Sequence, residues 1–251
     1  RTVPSTPYAR GPPMRGAAAN VEMARPSAAS AIARLEQLVS RHAWPTPVLM
    51  THFANADEAD PRTRMPLAQE QHQRLMQFKP AHWQSCLANS AGSLNFPELA
   101  GDIARPGIAI YGATPGPQAA ANYGLKPAMR FESEVIAIQY VSKGDRVGYG
   151  SRWQAPENGR IAVVACGYAD GYQRISPTGT PVLVNSIRTR TLGRVSMDMI
   201  AIDVTHINTE IGTPVELWGK HRLVDDVAAA NGTIGYELLC RLSNRPMRKV
   251  I

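Results

Sequence analysis

Lysine and cysteine are scarce in this chain of 251 residues. It has five lysines against 22 arginines, and its three cysteines (Cys86, Cys166 and Cys240) form neither a metal-binding spacing nor an even disulfide set. We therefore expect reduced cysteines, a cytoplasmic location and no metal site. No apolar run reaches the roughly 18 residues that a membrane span requires, so we expect no membrane partner. The residues before Ser27 also lack the charged and apolar pattern of a secretory signal.

The positive charge of the chain is concentrated near its beginning. The net charge is +7, and residues 1–41 contain six arginines, no lysine and only two acidic residues. A basic segment of this kind is compatible with nonspecific binding of nucleic acid. Neither a nucleic-acid motif nor a cluster of stacking aromatic residues accompanies it, so we expect no specific nucleic-acid partner.

The first half of the sequence alternates between strand and helix patterns. Residues 1–46 are expected to form an irregular lead followed by a helix from Ser27 through Ser40, with Ile32, Leu35, Leu38 and Val39 on one face. A buried strand is predicted over Val48–Phe53, a helix over Pro66–Phe78 and a strand near Ser85–Asn89. This order is typical of βα units with parallel strands over residues 47–118.

The pattern changes after a linker that contains Pro115, Gly116 and Pro117. Short strands then recur, and two short helices are predicted over 224–230 and 235–242, so residues 119–251 are expected to form a mainly β domain. The predicted strands are Met129–Tyr140, Arg160–Cys166, Pro181–Val184, Ile187–Leu192, Ile200–Val204 and Pro214–Leu217.

A tyrosine follows the apolar strand at Ile161–Ala165. Gly167 and Gly171 flank Tyr168 and permit a tight turn, which would hold the phenol at the end of the strand. A phenol in such a position is suited to general acid or base catalysis. The same residues are also compatible with an ordinary turn after a strand.

Several further segments occur in a fixed order along the chain and, together with Tyr168, resemble the alanine racemases, which depend on pyridoxal phosphate (PLP). The resemblance runs from about Pro47 to the end of the chain. It implies the C-terminal part of a (β/α)8 barrel followed by a mainly β domain. The segments are Thr51-His52-Phe53-Ala54, Leu-Ala-Asn-Ser-Ala-Gly at 87–92, Ala-Arg-Pro-Gly-Ile-Ala-Ile-Tyr-Gly at 104–112, Gly148-Tyr149-Gly150 and Gly-Arg-Val-Ser-Met-Asp-Met at 193–199.

The resemblance implies a cofactor role for five positions. Arg105 would face the PLP pyridine nitrogen, and His52 would orient that arginine. Ser90 and the backbone of Gly107 and Ile108 would hold the PLP phosphate. The residues by themselves leave structural alternatives open: a hydrogen-bonded histidine, a helix-capping serine and an Arg-Pro-Gly turn.

For catalysis, the resemblance implies that Tyr168 and a lysine stand on opposite faces of the substrate and exchange protons at Cα. Met197, through its backbone amide, and Asp198 would approach the substrate carboxylate, although a plain turn also explains these two residues. Tyr168 and Met197 would reach the site of the other subunit, which implies a homodimer with shared active sites.

The lysine that binds PLP in this family lies in an Ala-Val-x-Lys-Ala-Asn-Ala-Tyr-Gly segment. Lys79, Lys126, Lys143, Lys220 and Lys249 are the five lysines here, and none has that context. The resemblance implies racemisation of L-alanine to D-alanine for peptidoglycan precursors, with the machinery incomplete in this chain. The alternative is a truncated or degenerate, non-catalytic fragment that dimerises or binds PLP weakly.

Overall fold

The computed structural model of the protein describes residues 25–250, with side chains from residue 28. The irregular lead expected over residues 1–27 lies almost wholly outside the described residues. By its internal contacts the chain divides into two compact units, and the boundary falls between Arg105 and Pro106. This boundary precedes the one expected after residue 118.

The first unit opens with helix α1, Arg25–His42. It extends beyond the predicted bounds at both ends. The apolar residues that were expected to share one face are the half-buried ones, which confirms the helical spacing. They are Ile32, Leu35, Leu38 and Val39.

Two short parallel strands follow α1. Strand β1 (Val48–Met50) pairs with strand β2 (Gln84–Cys86), and Leu49 lies opposite Ser85. Helix α2 (Pro61–Met76) connects the two strands. A helical crossover between parallel strands confirms the predicted βα organisation of this region.

The prediction of a buried strand over Val48–Phe53 is wrong. The strand ends at Met50, whose side chain is 64% exposed, although Phe53 is buried. The predicted start of the following helix at Pro66 is also wrong, because α2 begins at Pro61. The Asp60 carboxylate accepts a hydrogen bond from the Arg62 amide at 2.9 Å and so caps the helix, and a proline at the first helical position loses no hydrogen bond.

Helix α3 (Ser90–Asn95) follows β2 and packs in the core of the first unit. Gly92 allows this packing, because a Cβ there would lie only 2.8 Å from Cδ2 of Phe53. The buried residues of this core are mostly small or aromatic: Phe53, Ala56, Ala68, Leu87, Ala88, Ala91, Phe96 and Leu99.

The second unit is built around a closed antiparallel barrel of six strands, which confirms its mainly β character. The barrel strands lie close to the predicted ones, whereas the short hairpin of β4 and β5 was not predicted. The strands are β3 (Phe131–Val141), β4 (Arg146–Val147), β5 (Trp153–Gln154), β6 (Gly159–Val164), β7 (Pro181–Val184), β8 (Ile187–Leu192), β9 (Ile200–Asp203) and β10 (Pro214–Trp218). Around the barrel their order is β10, β3, β6, β9, β8 and β7, and β7 pairs with β10.

Two short helices, α4 (Val224–Ala230) and α5 (Gly235–Arg241), follow the barrel as predicted. The Asp225 carboxylate in α4 accepts a hydrogen bond from the Thr114 amide at 3.0 Å. This bond joins the beginning of the second unit to its last helices. Within the described residues, no helix has both the length and the apolar character needed to cross a bilayer.

Candidate active site

Arg105 lies at the carboxyl ends of the two parallel strands of the first unit. Its Nη1 donates to the carbonyl oxygen of Cys86 at 2.7 Å and contacts the Cys86 sulfur at 3.1 Å, and its Nη2 donates to the carbonyl of Thr51 at 2.7 Å. The two carbonyls fix the plane of the guanidinium. These contacts use only Nη1 and Nη2, so within the described residues the Nε–H stays available to an acceptor.

The side chain of His52 contacts that of Asn89. Its Nε2 lies 3.1 Å from Nδ2 of Asn89, whose Oδ1 accepts a hydrogen bond from the Gly92 amide at 2.8 Å. The backbone donor fixes the orientation of the Asn89 amide, so Nδ2 must donate to His52. Nε2 of His52 therefore accepts the hydrogen bond in this arrangement. The expected orienting contact between His52 and Arg105 stays a prediction.

Asn89 is one of the residues that the sequence interpretation missed. It caps α3 and also holds His52, so it joins the first turn of that helix to the segment after β1. Its signal in the sequence was an asparagine directly before a run of small residues, which is a preferred N-cap. The adjacent Ser90 begins α3 and is buried.

Gly107 and Ile108 belong to the second unit. Gly107 precedes a 3₁₀ turn at Ile108–Tyr111, and its carbonyl accepts from the Ile110 amide at 3.1 Å. A Cβ placed on Gly107 would meet nothing within 4 Å, so the backbone is open to an approaching group. Ile108 is buried and anchors this turn in the core of the second unit.

The segments that carry Tyr168 and Met197 are bound to each other. The Tyr168 amide donates to the Ser196 carbonyl at 3.0 Å, and the Ala169 amide donates to the Met197 carbonyl at 3.0 Å. A Cβ on Gly167 would lie 2.1 Å from the Met197 carbonyl oxygen, so only glycine permits this approach. The structure thus brings the segments of Tyr168 and Met197 together, and their role in one site stays a prediction.

The side chain of Asp198 makes an ion pair. Its Oδ1 lies 2.7 Å from Nη1 of Arg245, and Nε of the same arginine lies 3.5 Å from Oδ1 of Asp170. The hydrogen bond that Arg245 donates to Asp198 and the charge of Asp170 raise the pKa of Arg245. Arg245, to which the sequence interpretation gave no role, therefore bridges the segments of Tyr168 and Met197.

A second phenol lies in a segment that approaches Arg194. Tyr149 is 68% exposed and lies between Gly148 and Gly150, which both have positive φ. A Cβ on Gly148 would lie 3.5 Å from the backbone nitrogen of Arg194, three residues before Met197. Tyr168, by contrast, is half-buried and packs against the barrel core. A tyrosine between two glycines was the signal in the sequence.

The surroundings of Arg194 are strongly positive. The charge of Arg152, followed by desolvation and by the charge of Arg174, lowers the pKa of Arg194. Three arginines near one surface raise the local electrostatic potential and attract carboxylates.

Two family models match the chain and together account for most of it. The alanine racemase N-terminal domain model matches residues 24–115, and the alanine racemase C-terminal domain model matches residues 128–250. The chain belongs to the alanine racemase family. It therefore has the fold of that family, a TIM-barrel-like N-terminal domain followed by a β-rich C-terminal domain, and the helix α1 falls within the first match.

Individual racemases agree with this family assignment. The chain is 50% identical over 198 residues to an alanine racemase of Janthinobacterium sp. (strain Marseille), with 78% of this chain and 55% of that protein covered. A catabolic alanine racemase of Klebsiella aerogenes is 48% identical over 204 residues, with the same shares covered. The chain thus spans about half the length of the curated racemases it matches.

Solved racemase structures match most of this chain. The biosynthetic alanine racemase of Pseudomonas aeruginosa matches with a TM-score of 0.80 and 42% identity, over 88% of this chain and 62% of that one. The alanine racemase of Acinetobacter baumannii matches with a TM-score of 0.79 and 45% identity, over 87% and 60%.

Proposed function

We propose that this chain supplies the later part of a PLP-dependent alanine racemase, which interconverts L- and D-alanine. The observation that carries the proposal is the geometry of Arg105, whose guanidinium is fixed by two carbonyls at the strand ends while its Nε–H stays available. The carboxyl ends of barrel strands are where TIM-barrel enzymes place their active sites. We further propose that the first unit is the last part of a (β/α)8 barrel.

The described residues include groups that could bind the ring nitrogen of PLP and groups that could bind its phosphate. Arg105 would face the ring nitrogen, and Ser90, Gly107 and Ile108 would hold the phosphate. Ser90 is buried and is the first residue of α3, directly after the Asn89 cap. No side chain obstructs the backbone at Gly107. When bound, PLP supplies an electron-withdrawing ring that acidifies the Cα–H of an amino acid.

Arg105 determines how strongly that ring withdraws electrons. A guanidinium stays protonated at any ordinary pH, so Arg105 would donate a hydrogen bond to the ring nitrogen without giving up its proton. Arg105 would thus leave that nitrogen unprotonated, whereas a carboxylic acid in its place would protonate it and strengthen the electron withdrawal. This favours return of a proton to Cα over transfer of the amino group to the cofactor.

Two phenols compete for the role of the proton-transfer group opposite the lysine. Tyr168 is the residue proposed from the family resemblance. Exposure favours Tyr149, because a group that takes a proton from a bound amino acid must be reachable, whereas Tyr168 packs against the core. The Met197 amide would receive the substrate carboxylate, and Asp198 would hold that segment through Arg245. The arginine group of Arg152, Arg174 and Arg194 would attract the substrate.

The lysine and the remaining barrel strands would come from a segment outside this chain. We propose that the complete protein is a cytoplasmic homodimer with shared active sites, which provides D-alanine for the cell wall. A non-catalytic fragment that dimerises or binds PLP weakly is the competing proposal, because none of the five lysines has the family's context.

Joining the chain to the lysine-bearing amino-terminal part of the Janthinobacterium racemase tests the proposal. The fusion should form D-alanine from L-alanine, and the 251-residue chain alone should not. Exchange of deuterium at Cα, followed separately from each enantiomer, then compares Tyr149→Phe with Tyr168→Phe. The phenol that acts as the base should be needed for exchange from one enantiomer much more than from the other.

Two results would decide against parts of this assignment. A fusion that folds and binds PLP but forms no D-alanine would support the non-catalytic reading. Equal exchange from both enantiomers in both phenylalanine variants would exclude both phenols as the base.

A further inference from the structure

We propose that Arg245 is a positioning residue: it clamps the segments of Tyr168 and Met197 together and neutralises the carboxylate beside the Met197 amide. This inference rests on the proposed function, in which Met197 receives the substrate carboxylate. The clamp itself is a property of the second unit and is independent of turnover.

Three segments that are distant in the sequence meet at Arg245. Its Nη1 lies 2.7 Å from Asp198, which directly follows Met197, and its Nε lies 3.5 Å from Asp170, which lies in the turn after Tyr168. A guanidinium has a rigid fork of donors, so one arginine can address two carboxylates at once. A lysine ammonium has no such fork.

The carboxylate of Asp170 extends the clamp to the backbone. Its Oδ2 accepts a hydrogen bond from the Gly167 amide at 2.8 Å, and its own carbonyl accepts from the Ser243 amide at 3.2 Å. A Cβ on Gly171 would lie 2.6 Å from the Cα of Leu242, so the turn also lies directly against the last segment of the chain. Arg245 thus acts on a turn that is already in contact with its own segment.

The positive charge of Arg245 has a second effect. Asp198 is half-exposed, and it directly follows Met197, whose amide would receive the substrate carboxylate. Two carboxylates at close range repel each other unless a cation lies between or beside them. Arg245 supplies that cation, so its loss should weaken substrate binding even where the fold is intact.

Amide hydrogen exchange on the 251-residue chain tests the clamp without any turnover. In Arg245→Met, the Tyr168 and Ala169 amides should exchange about tenfold faster, because the loss of charge-assisted contacts loosens the segments they join. Arg241→Met is the matched control, since among the described residues the Arg241 side chain pairs with Glu237 alone, in its own helix. In that variant the two amides should exchange at the wild-type rate.

The amides of β6 in the same sample report on global stability. If the β6 amides of Arg245→Met exchange faster by the same factor as the Tyr168 and Ala169 amides, the clamp is overturned. An unchanged exchange rate of the Tyr168 and Ala169 amides in this variant would overturn it as well. If Arg245→Met fails to fold, Arg245→Lys replaces it. An intermediate rate then supports the two-carboxylate fork, and a wild-type rate overturns it.

The racemase fusion tests the charge effect. In Arg245→Met, the factor by which KM for alanine rises should be about ten times the factor by which kcat falls. Adding Asp198→Asn to this variant should bring KM back toward the wild-type value, because the unpaired carboxylate is then gone. A double variant as poor as the single one would overturn this effect. Since hydrogen exchange needs no activity, an inactive fusion would count against the proposed function alone and would leave the clamp result standing.

Discussion

Replacing Gly167 with alanine should destabilise the second unit by more than the addition of one methyl group suggests. The added methyl group would lie 2.1 Å from the carbonyl oxygen of Met197, 2.3 Å from the carbonyl carbon and 2.5 Å from the Asp198 nitrogen. All three are backbone atoms, so no side-chain rotation relieves the clash. The peptide between Met197 and Asp198 must instead move away.

The cost has two parts. Overpacking in a well-packed region costs about 1–3 kcal/mol. Moving the peptide also strains the hydrogen bonds from Tyr168 to Ser196 and from Ala169 to Met197, each worth about 1 kcal/mol. We therefore expect the free energy of unfolding to fall by about 4 kcal/mol. In a unit of this size that corresponds to a melting temperature lower by about 10 °C.

Urea and thermal unfolding, followed by the fluorescence of the buried Trp218, would measure this loss. Gly107→Ala is the matched control in the same unit, because its φ is −90° and its Cβ would meet nothing within 4 Å. It should change the free energy of unfolding by less than about 1 kcal/mol. A Gly167→Ala protein within about 1 kcal/mol of wild type would refute the reasoning.

Three further predictions concern the second unit. Ile202→Ala in the barrel core should lower the free energy of unfolding by about 2–5 kcal/mol, whereas Ile211→Ala at a side chain that is 69% exposed should change it by less than about 0.5 kcal/mol in urea titrations. Burial raises the pKa of Asp225, so the stability linked to this group is present below its ordinary pKa and is lost as the pH rises through the raised value. Asp225→Asn should therefore be more stable than wild type at pH 7, and the advantage should shrink as the pH of the unfolding experiment is lowered toward 4; an advantage that grows would contradict this. Cys240 is exposed, while burial raises the pKa of the Cys166 thiol, so iodoacetamide should modify Cys240 first in the native protein, as mass spectrometry of peptides would show; equal rates would be the contrary result.

The sequence pattern determined the second unit most completely. Short runs of β-branched and apolar residues bounded by Gly, Pro or Asn are a local property that adjacent residues express without help from the rest of the chain. Strands such as Pro181–Val184 and Ile187–Leu192 therefore have the bounds that were predicted for them. The hairpin of β4 and β5 was missed because two residues are too few to form such a run.

In the first unit, local pattern was a weaker guide. The apolar run at Val48–Phe53 predicted a buried strand, but a strand is buried only if other elements cover both of its faces. Within the described residues β1 pairs with β2 alone, and Met50 is largely exposed. The start of α2 was legible in Asp60 and Pro61, a cap followed by a proline, and the interpretation gave too much weight to Pro66.

The sequence alone determined the family, the order of the elements and the identity of the residues that carry the proposed chemistry. Tertiary structure decided which groups those residues touch. The two carbonyls that hold Arg105, the Asn89 amide that donates to His52 and the bridge from Arg245 to Asp170 all join residues far apart in the chain. Such pairs leave no periodic trace, because folding brings them together only after the local elements have formed and packed.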